Sequence, residues 1–186
     1  MIMTGVSLIG WFHSLAATLS ILVGGVVLFG TKGTARHRFF GKSYFVAMIA
    51  ANISSFGVYH FDIARFVPFQ GGPGVFGLFH WESVFTLFFL VLGFAAASRQ
   101  RRALFAYLHP VSMLITYYML IGGLVNEVFV RVPFLRALAL SGHTGNPVRT
   151  PLAGMVQGSV MMIFLVMLVW FIAKVALYRR RAVAIA

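Results

Sequence analysis

Residues 6–30 read VSLIGWFHSLAATLSILVGGVVLFG. The run contains no Asp, Glu, Lys or Arg and exceeds the roughly 20 apolar residues that a helix needs to cross the hydrocarbon core of a bilayer. A surface helix of a water-soluble domain would show a charged face at helical spacing, and none is present. The whole chain agrees with this reading. Its 186 residues are 60% hydrophobic and only 10% charged, with mean hydropathy +0.93, so it has too little polar surface to cover a globule in water. A net charge of +12 in a soluble domain would point to nucleic acid. Here the cations lie in short connections between apolar runs, so no nucleic-acid partner is expected and the lipid bilayer is.

Four further apolar runs lie at Gly41 to Phe61, Val75 to Ala97, Pro110 to Val130 and Pro151 to Leu177. The expected fold class is all-α, a polytopic membrane protein of five transmembrane helices in a single membrane domain. Pro110 and Thr150-Pro151 mark helix starts, because Pro at the first helical position gives up no hydrogen bond. No cationic segment precedes the first run, which is too long for a signal-peptide core and is expected to be retained. Eleven of the 15 Lys and Arg fall on one side: Lys32, Arg36, Arg38 and Lys42; Arg99, Arg101 and Arg102; Lys174, Arg179, Arg180 and Arg181. Arg65, Arg131, Arg136 and Arg149 fall on the other. The positive-inside rule then places the N-terminus outside and the C-terminus in the cytoplasm, as expected of a bacterial inner-membrane protein. The connection from 132 to 150, with Pro133, Gly142, Gly145 and Pro147, is an external loop folded over the bundle mouth with no clear element of its own.

An internal repeat organises the histidines. Gly10-Trp11-Phe12-His13 opens the first helix and Gly77-Leu78-Phe79-His80 the third, matching at three of four positions. Each is followed by helix glycines (Gly24 and Gly25; Gly93), a basic loop, and a histidine at the mouth of the next helix, His37 and His109. Two copies of one helical hairpin, residues 1–66 and 75–131, would form a four-helix bundle about an axis along the membrane normal. Helix five, residues 151–178, would flank it. His13 would face His80 in the outer half, and His37 would face His109 near the inner surface.

Paired imidazoles on facing helices can supply both axial ligands of a haem iron. Two such pairs at opposite depths would carry electrons across the membrane, so the leading expectation is a redox protein binding haem b through His13, His80, His37 and His109. A quinone or another small-molecule electron donor would serve it. Bland roles compete. His37, among Arg36, Arg38 and Lys42, suits a headgroup-facing position, and His109 suits a helix start. His13 and His80 lie inside apolar stretches, where an unpaired imidazole is costly. Zero cysteines exclude disulfides, thiolate metal sites and iron–sulfur clusters.

A second constellation joins His60, Asp62, Glu82 and Glu127, whose mixed imidazole and carboxylate donors suit zinc, iron or copper in a metal-dependent membrane enzyme. His60 with Asp62, and His80 with Glu82, are two residues apart. On a regular helix such pairs diverge by about 200°, so they need a helix end or an irregular turn to converge. The carboxylates can instead pair with Arg65 or Arg131, or act as a proton or ion relay in a carrier. Asn52, Ser54, Ser55 and Gly57 read as close-packing helix-interface residues, and Tyr117 and Tyr118 as packing residues. Helix five, with Gly154, Gln157 and Gly158, offers a contact for a homo-oligomer.

The stretch His37-Arg38-Phe39-Phe40-Gly41-Lys42-Ser43-Tyr44, with Phe79-His80 and His109-Pro110-Val111-Ser112-Met113, resembles the bacterial membrane family catalogued as domain-of-unknown-function family 2306, over roughly residues 10 to 130. The resemblance implies a small multi-helix membrane protein in which His37, His80 and His109 matter, and it assigns them no reaction. Pro110 stands where a basic residue is expected after the later histidine. In architecture the histidine arrangement is similar to that of transmembrane di-haem b-type cytochromes.

Overall fold

A computed structural model describes residues 7–58, 76, 78–97, 103–142, 145 and 147–184. They form six helices and no strand: α1 (Leu8–Phe29), α2 (Ala35–Val58), α3 (Leu78–Ala97), α4 (Ala103–Arg131), α5 (Pro133–Ala139) and α6 (Pro151–Ala184). Four of these described helices are long and apolar enough to cross a membrane, over Leu8–Phe29, Phe79–Ala97, Leu104–Arg131 and Pro151–Leu177, which is the profile of an integral membrane protein. The chain divides into two compact units, Met1–Ala95 and Ala96–Ala186.

In the first unit, local chemistry fixes where α1 ends and α2 begins. The Ser7 hydroxyl accepts from the Gly10 amide and caps α1. At the other end the chain leaves the helix at Gly30, where a Cβ would sit 2.6 Å from the Val26 carbonyl oxygen. Lys32 donates to the orphan carbonyls of Val27 and Leu28, placing a cation at the negative end of the helix. Gly33 turns the chain at φ +79°, and the Thr34 hydroxyl accepts from the His37 amide to start α2. A connection this short makes α1 and α2 antiparallel.

Small residues let them pack closely: Ala16, Ser20 and Gly24 on α1 and Ala47, Ala51 and Ser54 on α2 are all buried. Gly57 takes the same role, since a Cβ there would collide with Ile9 Cδ1. Helix α3 lies antiparallel to α2, because Phe45 stacks on Phe94 with centroids 4.2 Å apart while Ser55 and Ser83 share a hydroxyl hydrogen bond of 2.7 Å. Thus α2 carries a partner on two flanks, and Tyr44, Met48, Ala51, Ser54 and Ser55 are buried along it.

In the second unit α6 returns antiparallel to α4. Gln157 Nε2 donates to the Gly122 carbonyl at 2.9 Å and to Asn126 Oδ1 at 2.8 Å, and Tyr117 and Tyr118 pack on Phe164. Phe129, Ala139 and Ala153, backed by Val125, Leu135 and Val156, form the cluster where α4, α5 and α6 meet.

Two sequence expectations need correction. Pro110 does not open a helix, since α4 begins at Ala103 and carries Pro110 inside it. The preceding residues, Leu104, Phe105 and Ala106 among them, favour helix, and the one hydrogen bond that Pro110 cannot donate is the smaller cost in apolar surroundings. The 132–150 connection does hold structure, namely α5 and a 3-10 turn at Pro147–Arg149. Pro151, by contrast, does begin α6, with the Thr150 hydroxyl accepting from the Ala153 amide at 3.4 Å.

Candidate functional site, a histidine level in the three-helix unit

His13 lies on α1, half-buried against α2. Its Nδ1 is 2.9 Å from the Ala51 carbonyl oxygen and 3.2 Å from Ser54 Oγ. A carbonyl can only accept, so Nδ1 carries the proton and donates it. The Ser54 hydroxyl donates to the same carbonyl at 2.9 Å, which leaves its lone pairs to share the imidazole proton. In the neutral ring this bonding leaves the lone pair on Nε2, the form in which an imidazole binds a metal. The bond also fixes the plane of the ring.

His80 lies on α3 and is buried, 3% exposed. Its ring stacks on Phe76 with centroids 5.0 Å apart and lies 5.7 Å from Phe56 of α2. Trp81 meets Phe76 edge-on at 5.5 Å, which closes an aromatic wall. His13 meets α2 at residues 51 and 54, and the α3 contacts fall at 55 and 56. The two histidines therefore occupy one level of the unit on two flanks of the same helix. The signal for this level in the sequence is the run Asn52 to Ser55, a polar cluster inside an apolar segment.

The other expected site residues occupy other positions along the helices. His37 sits in the first turn of α2, with Arg36 5.7 Å over the Phe40 ring beside it. His109 lies within α4, in the second unit. His60 and Asp62 fall outside the described residues. Glu82 is half-buried on α3, which is regular helix from Leu78 onward, so His80 and Glu82 point to different sides. Glu127 forms an ion pair with Arg131 one turn on along α4. Among the described residues no three His, Asp or Glu side chains form a cluster that could hold a metal ion.

What this level offers chemically is one oriented imidazole with its lone pair available and a second imidazole in an aromatic enclosure. Flat apolar walls with nitrogen donors are what a haem macrocycle requires. The Ser55–Ser83 contact at 2.7 Å leaves no room for a planar ring between α2 and α3 there, so any such group must lie to the other side of those helices. No family model matches the chain, and neither a curated protein nor a solved structure matches it.

Proposed function

We propose that this chain is an integral membrane redox protein that binds b-type haem through histidines and moves electrons across the bilayer. His13 and His80 hold one haem, and His37 and His109 are further candidate haem ligands. A bound haem supplies one-electron chemistry; the chain supplies ligands, orientation and an apolar enclosure that excludes water. The observation that carries the reading is the Nδ1 bond from His13 to the Ala51 carbonyl, which presents Nε2 as a donor at the level of buried His80.

The same proposal includes α2 as a fifth span. Its lower apolarity suits a helix lined with Asn52, Ser54 and Ser55 that faces protein on two flanks. By the charge rule the N-terminus lies outside and the C-terminus in the cytoplasm of a bacterial inner membrane. A quinone or similar small molecule is the proposed electron donor. The apolar flank of α6, with Met161, Ile163, Val166 and Val169 exposed, meets lipid or a second copy of the chain.

Absorption of the purified full chain tests the reading. A Soret band with a sharp reduced α band is expected, weakened in His80→Ala, where a haem loses a ligand. Absence of both bands in the wild type ends the proposal. Stoichiometric zinc, iron or copper without porphyrin would instead direct attention to Glu82 and to His60 and Asp62.

A further inference from the structure

The corner between α4 and α5 is the place in the second unit where charge and apolar surface meet. The chain turns sharply at Val132, extended at φ −83° and ψ 112°, because the residue before a proline avoids helix and Pro133 then starts α5. Val130, Arg131, Pro133, Arg136, Ala137 and Leu140 line a groove of about 300 Å³ in that corner. Two of the six are arginines. Arg131 shares its charge with Glu127, while Arg136 has no carboxylate partner among the described residues. The groove therefore carries net positive charge inside apolar walls.

The surroundings say at what depth it lies. Helix α4 is long and apolar enough to cross a membrane and ends at Arg131, at the mouth of the groove. On α5, Leu135 and Ala139 pack into the core cluster, whereas Phe134 is 72% and Leu138 47% exposed. Apolar side chains bared beside arginines at the end of a span describe a short helix lying in the headgroup region.

We propose that the α4–α5 groove binds the phosphate of an anionic phospholipid. Arg136 and the part of the Arg131 guanidinium not used by Glu127 receive the phosphate oxygens; Val130, Pro133 and Leu140 receive the start of the acyl chains. The occupant is a lipid because the walls are apolar and their exposed neighbours Phe134 and Leu138 require a hydrocarbon boundary. The assignment is independent of the haem reading and stands or falls without it.

The test reconstitutes the full chain in phosphatidylcholine vesicles with a trace of spin-labelled phosphatidylglycerol or spin-labelled phosphatidylcholine. Electron paramagnetic resonance then measures the fraction of each label held at the protein. Phosphatidylglycerol is expected to be held preferentially, and Arg136→Gln to lower that preference about five-fold, the weight of one arginine near an anionic lipid. Ala137→Phe fills the groove with its charges intact and should lower the preference as well. Arg149→Gln, an exposed arginine outside the groove, should leave it unchanged. An unchanged preference in Arg136→Gln, or an equal loss in Arg149→Gln, overturns the proposal in favour of diffuse surface charge. Inorganic phosphate titrated against the detergent-solubilised protein separates the sources. Arg136-dependent phosphate binding without any lipid preference would assign the groove to a soluble anion and overturn the lipid assignment. Circular dichroism of each variant checks that it is folded, and Arg136→Gln decides the matter if Ala137→Phe is not.

Discussion

At His13 the partner is a backbone carbonyl, and that choice separates two roles of one side chain. The Nδ1 proton ties α1 to α2, and Nε2 is presented as a donor. Gln is close in length to His and offers N–H donors but no ring nitrogen lone pair. His13→Gln is therefore expected to keep the helix contact, with thermal stability in detergent close to that of the wild type. His13→Leu removes the donor and should cost about 0.6 kcal/mol, the typical worth of an interhelical hydrogen bond in a membrane protein. Both variants should abolish the low-spin spectrum of the His13 site. If His13→Gln retains the spectrum, His13 is a strut and nothing more. The sequence reveals why this residue and His80 matter, since a titratable ring inside an apolar run needs a partner. It does not reveal the partner: every residue has a carbonyl, so Ala51 leaves no compositional trace.

Elements respond to the same physics at longer range. Helix α6 has apolar residues on all sides and so lacks a hydrophobic face to direct it onto α4, because lipid tails are as apolar as its side chains. Gln157 supplies the direction, using its two amide protons on Gly122 and Asn126. Gln157→Leu should lower unfolding stability by about 0.6–1.7 kcal/mol in an SDS titration in mixed micelles. Ser159→Ala should not, because that exposed hydroxyl only returns to Met155 of its own helix. Stability unchanged by Gln157→Leu would mean that apolar packing, Tyr117 and Tyr118 on Phe164 and Phe129 with Ala153, holds the pair without it. The long helices are legible in the sequence because a bilayer demands continuous apolar runs, and α1 and α6 are built around such runs. Pro110 and α5 are less so. A proline is permitted at a helix start and tolerated inside an apolar helix, and only the strength of the preceding turn decides between them. A seven-residue helix such as Pro133–Ala139 is too short to show a period.

At the scale of the molecule, the crossing count turns on α2, the one long helix among the described residues whose polar residues keep it out of the strongly apolar set. Burial supplies the physical account. Asn52 donates to the Met48 carbonyl, Ser54 to the Ala51 carbonyl, and Ser55 to the Asn52 carbonyl while accepting from Ser83, so these bonds are made within the unit and make no demand on lipid. If α2 crosses, the α1–α2 connection and the segment after α5 are separated by three crossings and lie on opposite sides. If it does not, only α3 and α4 intervene, and both lie on the same side. The chain has no cysteine, so Thr31→Cys and Ser141→Cys, both at exposed positions, each provide a single label site. A membrane-impermeant maleimide on intact cells is expected to label Ser141→Cys and to reach Thr31→Cys only after permeabilisation. Labelling of Thr31→Cys alone would reverse the orientation while keeping five crossings. Labelling both or neither would leave α2 as a non-crossing helix, and His13 and His80 would then lose the buried membrane level on which a haem site depends.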